Sequence, residues 1–504
     1  SHPIAVACAL AARITNRPIK AQCSRTTDMD MFGGRHAFYM EYRVGFDNNG
    51  KILALDVDFY QHGGHTYEAN FGCMSMCLLW ADNAYYVPNY TVSGFSCKTN
   101  TPSNTAMRSP GVFNSVWQME YMMELIANQL GLEPDTVRAN NFYTEGQLTP
   151  YQQPVTNITI QRVWSELQTQ SNYSQVKTDV ANFNAANKWR KQGVHMTAVK
   201  YGITDPGNAV SILLNISSDD GTIVVSHTGV ELGQGINTKV AQTIAYQLGI
   251  DMSLIIVDDN VTNVLANGGQ TGGSSTSESA CAAALNACAE LNQRLAPIKT
   301  AHPGATWPAL IAAAAASQVN LTVASQYNLP SPSMPFTYFV WAAACSRVEL
   351  DVLTGEVQIL KTDLVYDCGN SLNPAVDIGQ IEGAFIMGIG HYLTEHVVYD
   401  SDSGRLLTRG TWDYHPPASQ DIPLELNVTL LSSTPNTAPG SILGSKATAE
   451  PPMMLSSSVF FAVRDCIKAV RADQGMTDWF DLPAPASTEV IQQACGIRPN
   501  VLTL

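Results

Sequence analysis

The sequence predicts an α+β fold of two related domains, with mixed sheets and packed helices. A paired-strand pattern occurs three times, helical runs follow its copies, and a polar stretch divides the chain. The first copy is FYMEYRVGFDNNGKILALDVDFYQHGG (38–64), the second NAVSILLNISSDDGTIVVSHTGVELGQG (208–235), the third AACSRVELDVLTGEVQILKTDLVYDCG (343–369). In each, apolar and polar residues alternate along one strand. A turn such as Asn49-Gly50 or Asp220-Gly221 then reverses the chain into a second alternating strand. Each copy ends in a loop containing glycine, and the similarity points to duplicated halves.

The helices come next. SHPIAVACALAARITNRP, at the start, reads as the middle of a helix. VFNSVWQMEYMMELIANQLGL (112–132) has apolar residues at helical spacing and a glycine stop. Further helices are expected at 237–250, 276–295, 374–393 and 451–472. The stretch 143–195, rich in Asn and Gln, reads as a connector between the C-terminal part of a first domain (1–142) and a second domain with its tail (196–504). NLPSPSMPFT (328–337) reads as a surface loop.

Composition narrows the function. Net charge is −15, which argues against nucleic acid and anionic membrane as partners. No apolar run reaches 18 residues, the length that would signal a membrane span. The 11 cysteines include no CxxC, so they read as free thiols of a reducing compartment, without iron–sulfur ligation.

Four loops could receive a bulky anion. NGGQTGGSSTSE (267–278) runs from glycines into a helix, whose free N–H groups favour phosphate, and Ser275 with Glu278 reads as a capping box. It lacks the lysine of a P-loop and the spacing of a dinucleotide fingerprint. In GVELGQGINTK (229–239), Gln234 between two glycines could read a heterocycle's edge, or the glycines could serve only a tight turn. In DCGNSLNPAVDIGQIEGAF (367–385), Asn373-Pro374 starts a helix carrying Gln380, and Gly379, Gly383 and Gly388 line one face. That face suits a large ligand or another helix equally. In GSKATAEPPMM (444–454), Glu450 stands at the mouth of the last long helix, where the dipole would keep a carboxylate ionised and suited to act as a base. A plain capping acid is the alternative. No metal-ligand motif accompanies these loops.

The segments GGRHAFYMEYRVGF, CKTNTPSNTAMRSPG, GVELGQGINTK, GGQTGGSSTSE, DLVYDCGNSLNPAVDIGQIEGAF and SKATAEPPMMLSSSVFFAVRD, with the tail DWFDLPAPASTEVIQQAC, resemble the C-terminal part of the xanthine dehydrogenase and aldehyde oxidase family. The resemblance is collinear over nearly the whole chain. It implies two related molybdopterin-binding domains and a molybdenum held by the pterin rather than by protein ligands. It implies that Arg108, Gln234, Gly272, Gly273, Ser274, Ser275, Thr276 and Gln380 contribute to the cofactor cage. It makes Glu450 the base that activates a water-derived oxygen for attack on the substrate carbon. FAD and 2Fe-2S clusters are implied for further domains of a longer, cytoplasmic, homodimeric protein, not for this chain.

The resemblance also bears on the substrate. Xanthine enzymes grip purine with an arginine where this chain has Met76, an apolar thioether. One of their pocket aromatics falls on Pro110, and another belongs to a segment shortened here at YGITDPGNAV (201–210). These departures imply aldehydes, oxidised to carboxylic acids, in a member similar to those of insects. Purine oxidation and a cofactor-free scaffold are the alternatives.

Overall fold

The computed structural model describes residues 2–204, 209–327 and 334–497. Part of the expected surface loop (328–333) and part of the shortened segment (205–208) lie outside the described residues.

Helices α1 (His2–Thr15) and α2 (Arg25–Met31) lead into a first repeat. Its strands β1 (Phe38–Phe46) and β2 (Ile52–Gly64) form the expected antiparallel hairpin. Helix α3 (Asn70–Trp80) crosses over, and β3 (Tyr90–Lys98) returns parallel to β2 with Leu55 opposite Tyr90. Helix α4 (Val112–Leu130) follows and stops where Gly131 takes the left-handed conformation, φ 66°.

After α5 (Pro134–Asn141), α6 (Ile160–Gln170), α7 (Tyr173–Ala186) and β4 (Arg190–Ile203), the same order recurs. Hairpin β5 (Val210–Ile216) and β6 (Ile223–His227) is followed by α8 (Ile236–Leu248), by β7 (Ile255–Val257) parallel to β6, and by α9 (Thr276–Ala301). Helix α10 (Trp307–Ala316) and β8 (Thr322–Tyr327) precede the third copy. There, hairpin β9 (Tyr338–Asp351) and β10 (Val357–Tyr366) is followed by α11 (Pro374–Ile389) and by β11 (Glu425–Leu430) parallel to β10. The short α12 (Pro452–Leu455), α13 (Ser457–Asp473) and α14 (Thr488–Ala494) complete the order.

The three sheets run β1-β2-β3, β7-β6-β5-β8 and β11-β10-β9-β4, and all are mixed. The chain thus holds three copies of one unit: hairpin, helix, parallel return strand, helix. The return strands escape the sequence pattern because a parallel strand needs no turn signal, and β7 has only three residues.

Helix α13 packs on β4 and β9, and α6 packs on β9 and β10. The central sheet is therefore covered on both faces, which explains why Tyr338–Cys345 is buried without alternation. Contact with α13 is close: a Cβ at Gly193 of β4 would lie 2.0 Å from the Ala462 carbonyl oxygen. All 11 cysteines are free thiols. No helix among the described residues is long and apolar enough to cross a membrane.

Candidate active site

In every repeat a loop joins the return strand to the next helix. The three such loops cover residues 99–111, 258–275 and 431–451, and they meet at one carboxylate. Glu450, 7% exposed, lies next to the end of the third loop. The first loop supplies the Ser109 N–H, which donates to Oε1 over 3.0 Å. The second supplies the Ser274 hydroxyl, which donates to Oε2 over 2.8 Å. The Ser109 hydroxyl also donates to the Glu450 carbonyl at 3.0 Å. Both serines have left-handed backbones, φ 57° and 60°, a conformation costing roughly 1–2 kcal/mol for a residue with a Cβ.

The donors also differ from the expectation for Glu450. The carboxylate is held by Ser109 and Ser274 from other repeats, because only the four-residue α12 follows it before α13 begins.

Arg108 ties the repeats together. Its Nε donates to the Ala449 carbonyl, and its Nη2 donates to the Gln380 carbonyl and Oε1, both at 3.2 Å. The Gln380 amide in turn donates to the Gly233 carbonyl at 3.1 Å. Burial lowers the pKa of Arg108, and the charge of Glu450 opposes that. Gly379 and Gly383 border open space, where a Cβ would meet nothing within 4 Å, whereas a Cβ at Gly388 would lie 2.0 Å from the Ser456 Oγ. The glycine face of α11 therefore does both things its sequence allows: an open surface at its start and helix packing at its end.

Gly272 and Gly273 are exposed, and Gly272 also borders open space. The Thr276 hydroxyl accepts the Gly272 N–H at 3.2 Å. The capping box does not form. Ser275 is buried and makes no capping bond, because Glu278 is taken by the Tyr338 hydroxyl, 3.1 Å away on β9. Gln234 is not a free amide either. Its Oε1 accepts the Leu232 N–H at 2.6 Å and its Nε2 donates to the Val230 carbonyl at 2.8 Å, so it staples its own turn.

The substrate-pocket candidates sit beside the first loop. A Cβ at Gly111 would lie 2.0 Å from the Cys73 carbonyl oxygen and 3.0 Å from the Cys77 N. The turn of α3 containing half-buried Met76 thus lies against the Ser109-Pro110-Gly111 corner.

Sequence reasoning missed several contributors. One is Arg35, whose guanidinium donates to the carbonyls of Met107 (3.0 Å), Arg108 (2.9 Å) and Ser109 (3.5 Å) and so shapes the first loop. Burial pulls its pKa down to about 10. Another is Tyr201 of β4, a buried phenol beside Ser109 and Glu450; burial, with the charge of Glu450, pushes it well above its ordinary value. Arg35 and Ser109 lie within quoted segments, but no local spacing ties residues this far apart. Among the described residues Glu124, His195 and Asp465 form the one cluster of three potential metal ligands, on α4, β4 and α13, and it does not include Glu450.

Residues 1–142 and 166–423 each match the family described as molybdopterin cofactor-binding domain. The chain is similar to the xanthine dehydrogenase/oxidase of Gallus gallus, with 41% identity over 498 residues, 97% of this chain and 36% of that protein. It is also similar to the xanthine dehydrogenases of Arabidopsis thaliana (37% identity; 98% and 37% covered) and Drosophila subobscura (39%; 98% and 37%). These relatives carry the name of the xanthine enzymes, and the fly protein is no nearer than the chicken one. The chain spans little more than a third of their length. Its fold matches quinoline 2-oxidoreductase from Pseudomonas putida, with TM-score 0.84, 21% identity, and 97% and 66% covered. It also matches aldehyde oxidoreductase from Desulfovibrio gigas, with TM-score 0.81, 22% identity, and 97% and 52% covered.

Proposed function

Because this chain belongs to the molybdopterin cofactor-binding domain family, we propose that it is the catalytic portion of a molybdenum hydroxylase that oxidises aldehydes to carboxylic acids. The observation that carries this reading is Glu450, a buried carboxylate gripped only by neutral donors from two other repeats.

The residues fit the cofactor. Among the described residues Glu450 belongs to no group of three or more potential metal ligands. The exposed Gly272-Gly273 turn and the Arg108–Gln380 pair would hold the pterin through backbone N–H groups and a cation. When bound, the group supplies the two-electron oxidation and the oxygen that enters the substrate.

The protein's own contribution is a proton acceptor in a fixed place. With Oε1 and Oε2 each accepting one hydrogen bond, the Glu450 carboxylate keeps a lone pair free on each oxygen. It can take the proton of the oxygen nucleophile as that oxygen adds to the aldehyde carbon, a contribution of roughly 10²–10⁴ in rate. Burial excludes competing water, and Arg108, engaged with Ala449 and Gln380, stays beside the carboxylate as a fixed positive charge.

Aldehydes are favoured over purines by Met76 and Pro110. An apolar thioether and a proline next to Ser109 offer a purine neither a cationic grip nor an aromatic face. The names of the relatives favour the second reading, xanthine oxidation. Assay of the full-length, cofactor-loaded enzyme with benzaldehyde and with xanthine separates the two. The proposal expects turnover of benzaldehyde; turnover of xanthine alone would establish the second reading instead.

A further inference from the structure

Glu278 lies outside the contacts that hold Glu450, yet it stands between two of the loops that do. It sits in the first turn of α9, four residues after Ser274, whose hydroxyl holds the Glu450 Oε2. Its own Oε2 accepts the Tyr338 hydroxyl at 3.1 Å. That hydroxyl in turn accepts the N–H of Ala447 at 3.1 Å. Ala447 belongs to the loop that carries Glu450, and its carbonyl accepts the Tyr366 hydroxyl at 2.7 Å. A closed ring results: Ser274, the start of α9, Glu278, Tyr338, Ala447, Glu450, and back to Ser274.

We propose that Glu278 is a positioning residue which, acting through the Tyr338 hydroxyl, fixes the separation between the Ser274 loop and the Glu450 loop. A phenol has one proton and two lone pairs. When carboxylate Glu278 takes that proton, the Tyr338 oxygen is left oriented toward the Ala447 N–H. When Glu278 is neutral, its own O–H can donate to the same oxygen, the phenol proton is no longer held on Glu278, and the orientation is lost.

The titratable neighbours are few. Tyr338 faces Glu278 from β9, with Tyr366 of β10 behind it, and Cys281 lies one turn along α9. Lys239 of α8 influences Cys281 but is paired with Asp377 at 2.9 Å. Among the described residues no cation forms an ion pair with Glu278. Burial pushes its carboxyl up to about 7, so both protonation states are accessible near neutral pH.

The inference rests on Glu450 as the base, and one readout is independent of that. In the full-length holoenzyme, Tyr338→Phe and the near-isosteric Glu278→Gln should each speed amide hydrogen exchange across 444–450 by roughly tenfold, the scale of one lost hydrogen bond. Both should lower kcat by a similar factor with KM little changed. The wild-type kcat should fall as pH drops through about 7, and Glu278→Gln should remove that limb. Unchanged exchange in both variants overturns the ring. Faster exchange with wild-type kcat and an unaltered pH profile reduces Glu278 to a structural contact and overturns the positioning role. Failure of the base assignment is read separately, from Glu450→Gln retaining its turnover.

Discussion

Glu124 and Glu450 are both buried carboxylates, 4% and 7% exposed, and they are bonded by different kinds of group. The Glu124 Oε1 accepts from Arg138 at 2.9 Å and lies 3.1 Å from the His195 Nε2, while Arg464 stands 3.8 Å from its other oxygen. Burial pushes Glu124 up, but His195, Arg138 and Arg464 outweigh it and hold the carboxyl well below the usual range. Glu450 has one serine hydroxyl and one backbone N–H. The difference teaches what burial alone does not: a carboxylate bonded by cations serves as a charged brace, whereas one whose oxygens accept only a hydroxyl and a backbone N–H, with Arg108 nearby but bonded elsewhere, is fixed in place with a lone pair left on each oxygen. The first bolts α4, α5, β4 and α13 together. The second is where three equivalent loops meet.

The contrast can be broken first at Arg138. Its guanidinium also pairs with Glu120 at 2.7 Å, so Arg138→Met leaves two buried carboxylates without their shared cation. A loss of about 3–5 kcal/mol of stability is expected in denaturant titration, with kcat of the folded fraction unchanged. A loss below 1 kcal/mol would mean that the network does not hold the helices together.

The next effect follows pH. Burial lowers the pKa of His195, but Glu124 and Asp465 outweigh it and raise the imidazole from 6.5 to about 9. A group whose pKa is raised on folding stabilises the folded state fully below its unfolded value. That stabilisation is lost as pH rises through the folded value. Thermal stability should therefore decline between pH 6.5 and about 9. His195→Gln should flatten this decline without shifting the pH profile of kcat.

Smaller still is Ser274→Ala, which removes one donor from Glu450. Roughly a tenfold fall in kcat is expected, with stability altered by about 1 kcal/mol or less. A variant at full activity would show that Ser274 is dispensable for placing the base. At the bottom of the scale, breaking the exposed Arg43–Asp56 pair by Arg43→Ala should leave the melting temperature unchanged. A measurable drop would show that ion pairs stabilise this fold wherever they lie.

The three hairpins were legible because strand alternation and turn chemistry are local, and Asn49-Gly50 and Asp220-Gly221 announce themselves. The parallel return strands were not: β7 is three residues long, and its partner β6 precedes it across a whole helix. At the site, the Gly272–Ser274 turn could be read from glycines running into a helix. Arg108 and Gln380 gained their roles only through resemblance to a family, whereas Glu450 also read as a base from its place at a helix mouth. Their convergence was out of reach, since Ser109 meets a carboxylate 341 residues away and Ser274 meets it across 176. Local rules misread Ser275 and Glu278, because a tyrosine from β9 outcompeted the cap. They left Gln234 open between ligand and turn, and the structure turns it inward.

The most direct test is Glu450→Gln in the full-length enzyme, with molybdenum content and steady-state turnover measured on the same preparation. The account predicts unchanged metal content and a kcat lower by roughly 10²–10⁴, since the amide keeps the shape and cannot take the proton. Near-wild-type turnover in a fully loaded Glu450→Gln enzyme would contradict it.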